Sequence, residues 1–464
     1  MERKRIYLCL AHMSDEGIEQ KYIKEAFDTN WVVPLGPNVN GFEKDLEEFV
    51  NGTNTNHTDD TNKLSKRVVA LSAGTAAVHL ALIACGVGPG DEVCVQSFTF
   101  CASSHPITYL GATPVFIDSE KDTWNMDPQL LEEAIKDRIA KTGKKPKAIV
   151  PVALYGMPYK ADRIMEIADK YGIPVVEDAA EGFGSKFNGQ VLGTFGKYGV
   201  LSFNGNKMIT TSGGGALITP DEEAWREIMM YATQYRESYP YYQHEKIGYN
   251  YRMSNICAGI GRGQMTVAAE HIEHHKKVQK LYEELLADVP GIKVHAQPDV
   301  RCKMADGREI PEYDSNYWLC TITLDPDLKI KGQENAYKTI VTGAVGGAAG
   351  VIHAASSATT DCQPNDNVEA LRVFLDQAQI EARPVWKPMH KQPVYCAPLN
   401  EKGEMRNEKL PCGAICQTSA TSVAYVNGVS EAIFKVGMCL PAGPYVSDDD
   451  VMYIVDTIKN AIVS

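Results

Sequence analysis

No apolar run in this chain is long enough to cross a bilayer, which excludes a membrane-inserted helical protein. An excess of positive charge is also missing. Lys and Arg number 46 against 59 Asp and Glu, and the resulting charge of −13 repels a phosphate backbone, so nucleic acid is not an expected partner. The 12 Cys are scattered singly through 464 residues. The nearest pair, Cys412 and Cys416, lacks zinc-ribbon spacing, and neither a disulfide framework nor a zinc site is expected. The basic start Met1–Arg5 leads into only a short apolar run before Asp15-Glu16, so no signal peptide and a cytoplasmic location are expected. His271, His274 and His275 have helical spacing and are read as an exposed helix face rather than as metal ligands. The stretch Gly343-Ala344-Val345-Gly346-Gly347 fails as a dinucleotide fingerprint, because Val345 stands where a glycine is needed.

What is present is a regular alternation. Between Arg67 and Thr219, apolar strand-length runs (Val68–Ser72, Val93–Ser97, Pro114–Asp118, Ala148–Ala153, Pro174–Asp178, Val200–Phe203) alternate with helical stretches. Continuous apolar strands separated by helices predict an α/β fold with a mostly parallel central sheet covered on both faces, whose ligands bind beyond the carboxyl ends of the strands. After a long helical region, Ser254 to Leu286, the pattern changes to isolated strands (Tyr317–Leu324, Ala382–Val385), a helix near Val368–Gln379 and a closing helix after Asp448. We therefore expect a large domain over 1–270 and a smaller C-terminal α+β domain over 271–464. Asn51–Lys66 and roughly Ile330–Asp366 read as insertions.

Chemistry concentrates in one stretch. Asp178 ends a strand, and Lys207 follows the next strand in Ser202-Phe203-Asn204-Gly205-Asn206-Lys207. An acid there can hold a proton on a pyridine nitrogen, and the lysine amine can bond to an aldehyde, the pattern of a pyridoxal 5'-phosphate (PLP) site. A carboxylate about 4 Å from a pyridinium is worth on the order of 4 kcal/mol at an effective dielectric near 20, about three pKa units. Ser72-Ala73-Gly74-Thr75 closes a strand and opens a helix, where free N–H groups and the Thr75 hydroxyl suit a phosphate, or an ordinary Ser/Thr cap. Phe100 follows a strand end and would either stack on the ring or pack in the core. Ser254 reads as a helix cap, and Arg383-Pro384-Val385-Trp386-Lys387-Pro388-Met389-His390 offers cations and an aromatic ring suited to a diphosphate or carboxylate.

With these residues the chain resembles the PLP-dependent sugar aminotransferases of the DegT/DnrJ/EryC1/StrS family, fold type I, over nearly its whole length. The marks are Ser72–Thr75, Gly90-Asp91-Glu92-Val93, Gly111–Val115, Glu177-Asp178-Ala179-Ala180, Ser202–Lys207 with Gly213-Gly214-Gly215, and Asn250-Tyr251-Arg252. The resemblance implies catalytic Lys207 and Asp178, with cofactor contacts from Gly74, Thr75, Phe100, Asp178, Glu181, Ser202, Lys207 and Asn250. It also points to substrate contacts from Arg252, Arg383, Lys387 and His390. A homodimer is implied in which Asn250 serves the other subunit's site, with L-glutamate and a nucleotide-linked ketosugar as substrates. The lysine loop is similar to the branch aminating C4 of UDP-linked 4-keto-6-deoxy-N-acetylhexosamines, with dTDP or GDP sugars as alternatives. Glu181 departs from the His or Gln of many members. Related deoxysugar dehydratases resemble this chain with His in place of the lysine, so Lys207 argues against them. A non-catalytic PLP-binding regulator would need a DNA-binding extension, for which the N-terminus is too short.

Overall fold

The computed structural model describes residues 4–52, 66–304, 306–337, 362–395, 415–416 and 422–463. Helices α1 (Ile18–Asp28) and α2 (Pro37–Gly52) lead into strand β1 (Arg67–Leu71) and helix α3 (Gly74–Ala84). Strands β2 (Glu92–Gln96), β3 (Thr113–Ile117), β4 (Ala148–Val150) and β5 (Val176–Asp178) follow, separated by α4 (His105–Tyr109), α5 (Pro128–Thr142) and α6 (Ala161–Tyr171). Then come β6 (Tyr198–Ser202), β7 (Gly215–Thr219), α7 (Glu222–Ala232), α8 (Asn255–Met265) and α9 (Ala268–Leu286).

Local chemistry accounts for many of these boundaries. Asp127 caps α5 by accepting from the Gln129 and Leu130 N–H groups, and Gly143 ends it in the left-handed conformation that costs a glycine little. Ser254 accepts from the Ile256 N–H at the start of α8, as its sequence position suggested. Helix α3 is apolar nearly all round and lies buried, as a helix covering a sheet within a larger core must be.

Strands β1, β7, β6 and β5 form one sheet, and β11 (Val423–Tyr425), β3, β2 and β4 another, with Ile415–Cys416 at its edge beside β11. Bridges Ile149–Val175 and Val152–Asp178 join them into one surface of order β1-β7-β6-β5-β4-β2-β3-β11. Its pairings are parallel except those of β7, which runs against β1 and β6, and that of Ile415–Cys416 with β11. The carboxyl ends of β1, β2, β5 and β6 therefore open at the same edge. Strand β11 was not expected from the sequence, since it comes from the end of the chain and joins the large sheet by pairing with β3.

A second layer gathers β8 (Ile292–Val294), β9 (Cys320–Leu324), β12 (Gly437–Leu440) and β10 (Arg383–Pro384), in that order, with helices α10 (Asp366–Gln377) and α11 (Asp448–Ala461). Its core contains Val278, Ile322, Leu371, Met438 and Ile454, together with Ile6 from the start of the chain. Two segments thus cross the division expected between 270 and 271: Ile6 goes to the small layer, and β11 returns to the large sheet. Strand β9 is shorter than Tyr317–Leu324, because Tyr317 takes φ 48° and breaks the extended run. The expected exposed histidine face on α9 is corrected. His271 and His275 are buried, with Nδ1 of His275 3.0 Å from the Tyr317 carbonyl. Of the two expected insertions, most of each (53–65 and 338–361), including the Gly343–Gly350 stretch, lies outside the described residues, as does most of the chain around Cys412 and Cys416. No described helix is long and apolar enough to cross a membrane, and the described residues contain no cluster suited to a metal.

Candidate active site

A cavity of about 340 Å³ opens at the shared carboxyl edge of the sheet, lined from β1, β2, β5 and β6 and by Trp318 and Trp386. Gly74, Thr75, Phe100, Asp178, Glu181, Ser202 and Lys207 all line it. Residues that lie far apart in the sequence meet because parallel strands place their carboxyl ends side by side.

Asp178 is buried at the end of β5. Its Oδ2 accepts a hydrogen bond from Ser103 Oγ at 2.6 Å and its Oδ1 one from the Ala180 N–H at 3.2 Å, while Thr99 Oγ1 lies 2.8 Å from Ser103 Oγ. Burial pushes the Asp178 carboxyl above the usual range, and Ser103, Ala180 and the charge of Lys207 only partly oppose that. A buried acid in this position is completed by a cation. A protonated pyridine nitrogen is such a group.

At the other end, α3 begins after Ala73, which supplies no side-chain cap, so the first N–H groups of the helix are free for an anion. The Ser/Thr-cap reading of this turn is thereby set aside. A Cβ at Gly74 would stand 3.0 Å from Ser202 Cβ, so glycine is what lets the strand end and the helix start close on one another beside the Ser202 hydroxyl. These features suit a phosphate. Lys207 lines the same cavity: its Nζ is 3.2 Å from Glu181 Oε1 and 3.9 Å from the centre of the Trp318 ring. Glu181 Oε2 accepts the Tyr155 backbone N–H at 2.7 Å. Buried Tyr155 holds φ 55°, a conformation that non-glycine residues adopt at a cost of roughly 1–3 kcal/mol and that clusters at functional sites. The donors and acceptors therefore fit PLP: α3 and Ser202 for its phosphate, Asp178 for its ring nitrogen, and Lys207 for its aldehyde carbon.

Phe100 is 51% exposed and lies 5.5 Å from Trp386, so it is a wall of the cavity mouth and not core. Glu181 lines the cavity beside the lysine, where the resemblance implies a contact with the cofactor ring.

The structure does not bring the four expected substrate residues into this cavity. Arg252 is committed to a buried ion pair with Glu43 and to the Ala70 carbonyl at 3.0 Å, because its segment pairs with β1 at Leu71. Arg383 pairs with Glu381 at 2.6 Å. His390 is buried with Nδ1 2.6 Å from Ser97 Oγ and Nε2 3.1 Å from Glu431, joining the small layer to the end of β2. Lys387 is half-buried and also outside the lining, and from its segment the cavity receives Trp386 instead. Asn250 is exposed, bridged to Thr233 and apart from this chain's own cavity. Sequence reasoning missed Ser103, Tyr155 and Trp318, whereas Trp386 belongs to the segment singled out for its aromatic ring. Their signal is tertiary only, although an aromatic just ahead of a strand was visible at Trp318.

The profile of the DegT/DnrJ/EryC1/StrS aminotransferase family matches residues 14–327. EpsN of Bacillus subtilis (strain 168), whose name places it among PLP-dependent aminotransferases, is 39% identical over 458 residues, covering 98% of this chain and 95% of that protein. A protein of Escherichia coli O157:H7 named GDP-perosamine synthase is 31% identical over 453 residues, covering 98% of each. Among solved structures, a DegT DnrJ EryC1 StrS aminotransferase from Brucella abortus superposes with a TM-score of 0.72 at 25% identity, covering 96% of this chain and 95% of its own. The chain accordingly belongs to the DegT/DnrJ/EryC1/StrS aminotransferase family, as a PLP-dependent transaminase of fold type I.

Proposed function

We propose that the protein moves an amino group from L-glutamate to C4 of a nucleotide-linked 4-keto-6-deoxy sugar, UDP-2-acetamido-2,6-dideoxy-hexos-4-ulose, for surface glycan synthesis. The observation that carries the reaction class is the meeting of Lys207, Asp178 and the Gly74 helix start in one cavity. Bound PLP supplies an electrophilic carbon and an electron-withdrawing ring. The chain's own residues do the rest. Asp178, anionic and braced by Ser103, keeps the ring nitrogen protonated. Lys207 Nζ, displaced by the incoming amine, takes the α-proton of the amino donor, and in the second half-reaction it delivers a proton to sugar C4. Trp318, Phe100 and Trp386 wall the space around that amine and limit water near it.

Lys207→Ala should abolish turnover, and L-glutamate should bleach the absorbance of the wild-type cofactor. A mutant with full activity would overturn the assignment. The UDP choice rests on the Asn204-Gly205-Asn206-Lys207 form of the lysine loop. A GDP sugar is the second reading, favoured by the relative named for GDP-perosamine that aligns with 98% of this chain. Comparing kcat/KM for UDP, GDP and dTDP ketosugars decides between them, and equal values would remove the nucleotide claim alone.

A homodimer with shared sites is part of the same reading. Support comes from the loop before Asn250, where Tyr242 is 79% and Ile247 85% exposed beside exposed Tyr239 and Tyr241. In an isologous dimer Asn250→Ala and Lys207→Ala would be complementary, and mixing the two inactive proteins under subunit exchange should restore part of the activity. Exchange without recovery would place Asn250 in its own subunit's site.

A further inference from the structure

We propose that Trp318 is a positioning residue for Lys207, its ring face holding the amine while its ring edge anchors the residue before it. The indole N–H donates to the Asn206 carbonyl at 2.7 Å, and the face of the same ring lies 3.9 Å from Lys207 Nζ. One rigid side chain thus fixes both the backbone that carries the lysine and the far end of its flexible stem. Lysine has four rotatable bonds and a point-like charge, so a loop alone cannot direct its amine. Glu181 Oε1 at 3.2 Å supplies the opposite wall.

The turn that carries the ring is itself held in place. Trp318 is 2% exposed, and its backbone N–H donates to Asn316 Oδ1 at 2.8 Å. Asn316 Nδ2 donates to the Glu181 and Phe183 carbonyls at 2.9 Å each. The same asparagine therefore ties the turn that carries Glu181 to the turn that carries Trp318. Asn316 fits there because residue 156 is glycine at φ 92°, where a Cβ would stand 1.8 Å from Asn316 Oδ1. Both walls around the amine are set by one buried amide, so the geometry points to an assembly for aiming Lys207 and not to incidental packing.

The inference needs only the family's cofactor and is independent of the sugar. Its test uses the cofactor-free full-length protein. PLP attachment to Lys207 is followed by absorbance and, after borohydride reduction, by peptide mass. Binding of 4'-deoxypyridoxine 5'-phosphate, which lacks the aldehyde and cannot react with lysine, is measured alongside. Trp318→Leu, which loses face and edge, should attach PLP about tenfold more slowly, the effect of about 1.4 kcal/mol, at unchanged affinity for the analogue. Trp318→Phe keeps a face and loses the anchor to Asn206, and should slow attachment about threefold. Attachment at the wild-type rate in both variants, or a loss of analogue affinity in parallel with the attachment rate, would overturn the proposal. Should Trp318→Leu fail to fold, Trp318→Phe decides alone: threefold slower attachment supports it and the wild-type rate overturns it.

Discussion

Replacing Ser103 by alanine removes the shortest hydrogen bond to Asp178, the 2.6 Å contact from Oγ to Oδ2, and leaves only the Ala180 N–H at 3.2 Å. Burial already pushes the Asp178 carboxyl up, and the Ser103 hydroxyl is the largest influence in the other direction. A hydrogen bond to a charged group contributes about 1.5–3 kcal/mol, so losing about 2 kcal/mol from the anion should weaken PLP binding by up to roughly 30-fold at the pH values where the free carboxyl is protonated. The sign with pH follows from the same carboxyl. Its anionic fraction falls as pH falls, so the affinity of wild type declines toward acid, and in Ser103→Ala the decline begins at higher pH. Thr99→Val, which removes only the group 2.8 Å from Ser103 Oγ, should cost less than Ser103→Ala, and Asp178→Ala should cost more. The assay is equilibrium dialysis of PLP against each protein between about pH 6 and 9, a range above the ordinary carboxylate titration. If Ser103→Ala binds PLP as tightly as wild type at every pH, Asp178 does not act as a braced anion and the reasoning fails.

Two further outcomes test the corrections made above. Arg252→Met should lower stability by about 3–5 kcal/mol in urea melts, because it strands the buried Glu43 carboxylate, and should leave the KM for the sugar unchanged. Arg252→Met with Glu43→Leu should recover most of that loss, whereas a raised KM at full stability would return Arg252 to the substrate site. Burial pushes His275 down to about 3 from its ordinary 6.5, so the folded state disfavours its protonation. The stability this neutral imidazole contributes is fully present above pH 6.5 and is lost as pH falls toward 3, about 2 kcal/mol of it by pH 5. His275→Asn retains a donor for the Tyr317 carbonyl and should flatten that slope in urea titrations at pH 7 and 5. Equal slopes in the two proteins would remove His275 as the cause.

Asp178, Lys207, Gly74 and Thr75 were legible in the sequence because each belongs to a local pattern, a strand end or a strand-to-helix turn. A parallel sheet brings such ends to one edge whatever the rest of the chain does. The alternation of apolar runs and helices carried the mostly parallel sheet for the same reason. Tertiary structure alone decided the destinations of the cations. Arg252 meets Glu43 across 209 residues and His390 meets Ser97 across 293, and in a sequence a cation that will neutralise a buried carboxylate looks the same as one that will bind a diphosphate. Ser103, Trp318 and strand β11 were invisible for a related reason. A serine in a short helical turn, an indole before a strand and three apolar residues near the end of the chain have no period or motif. Their partners are Asp178, Lys207 and β3, and only long-range packing chooses them.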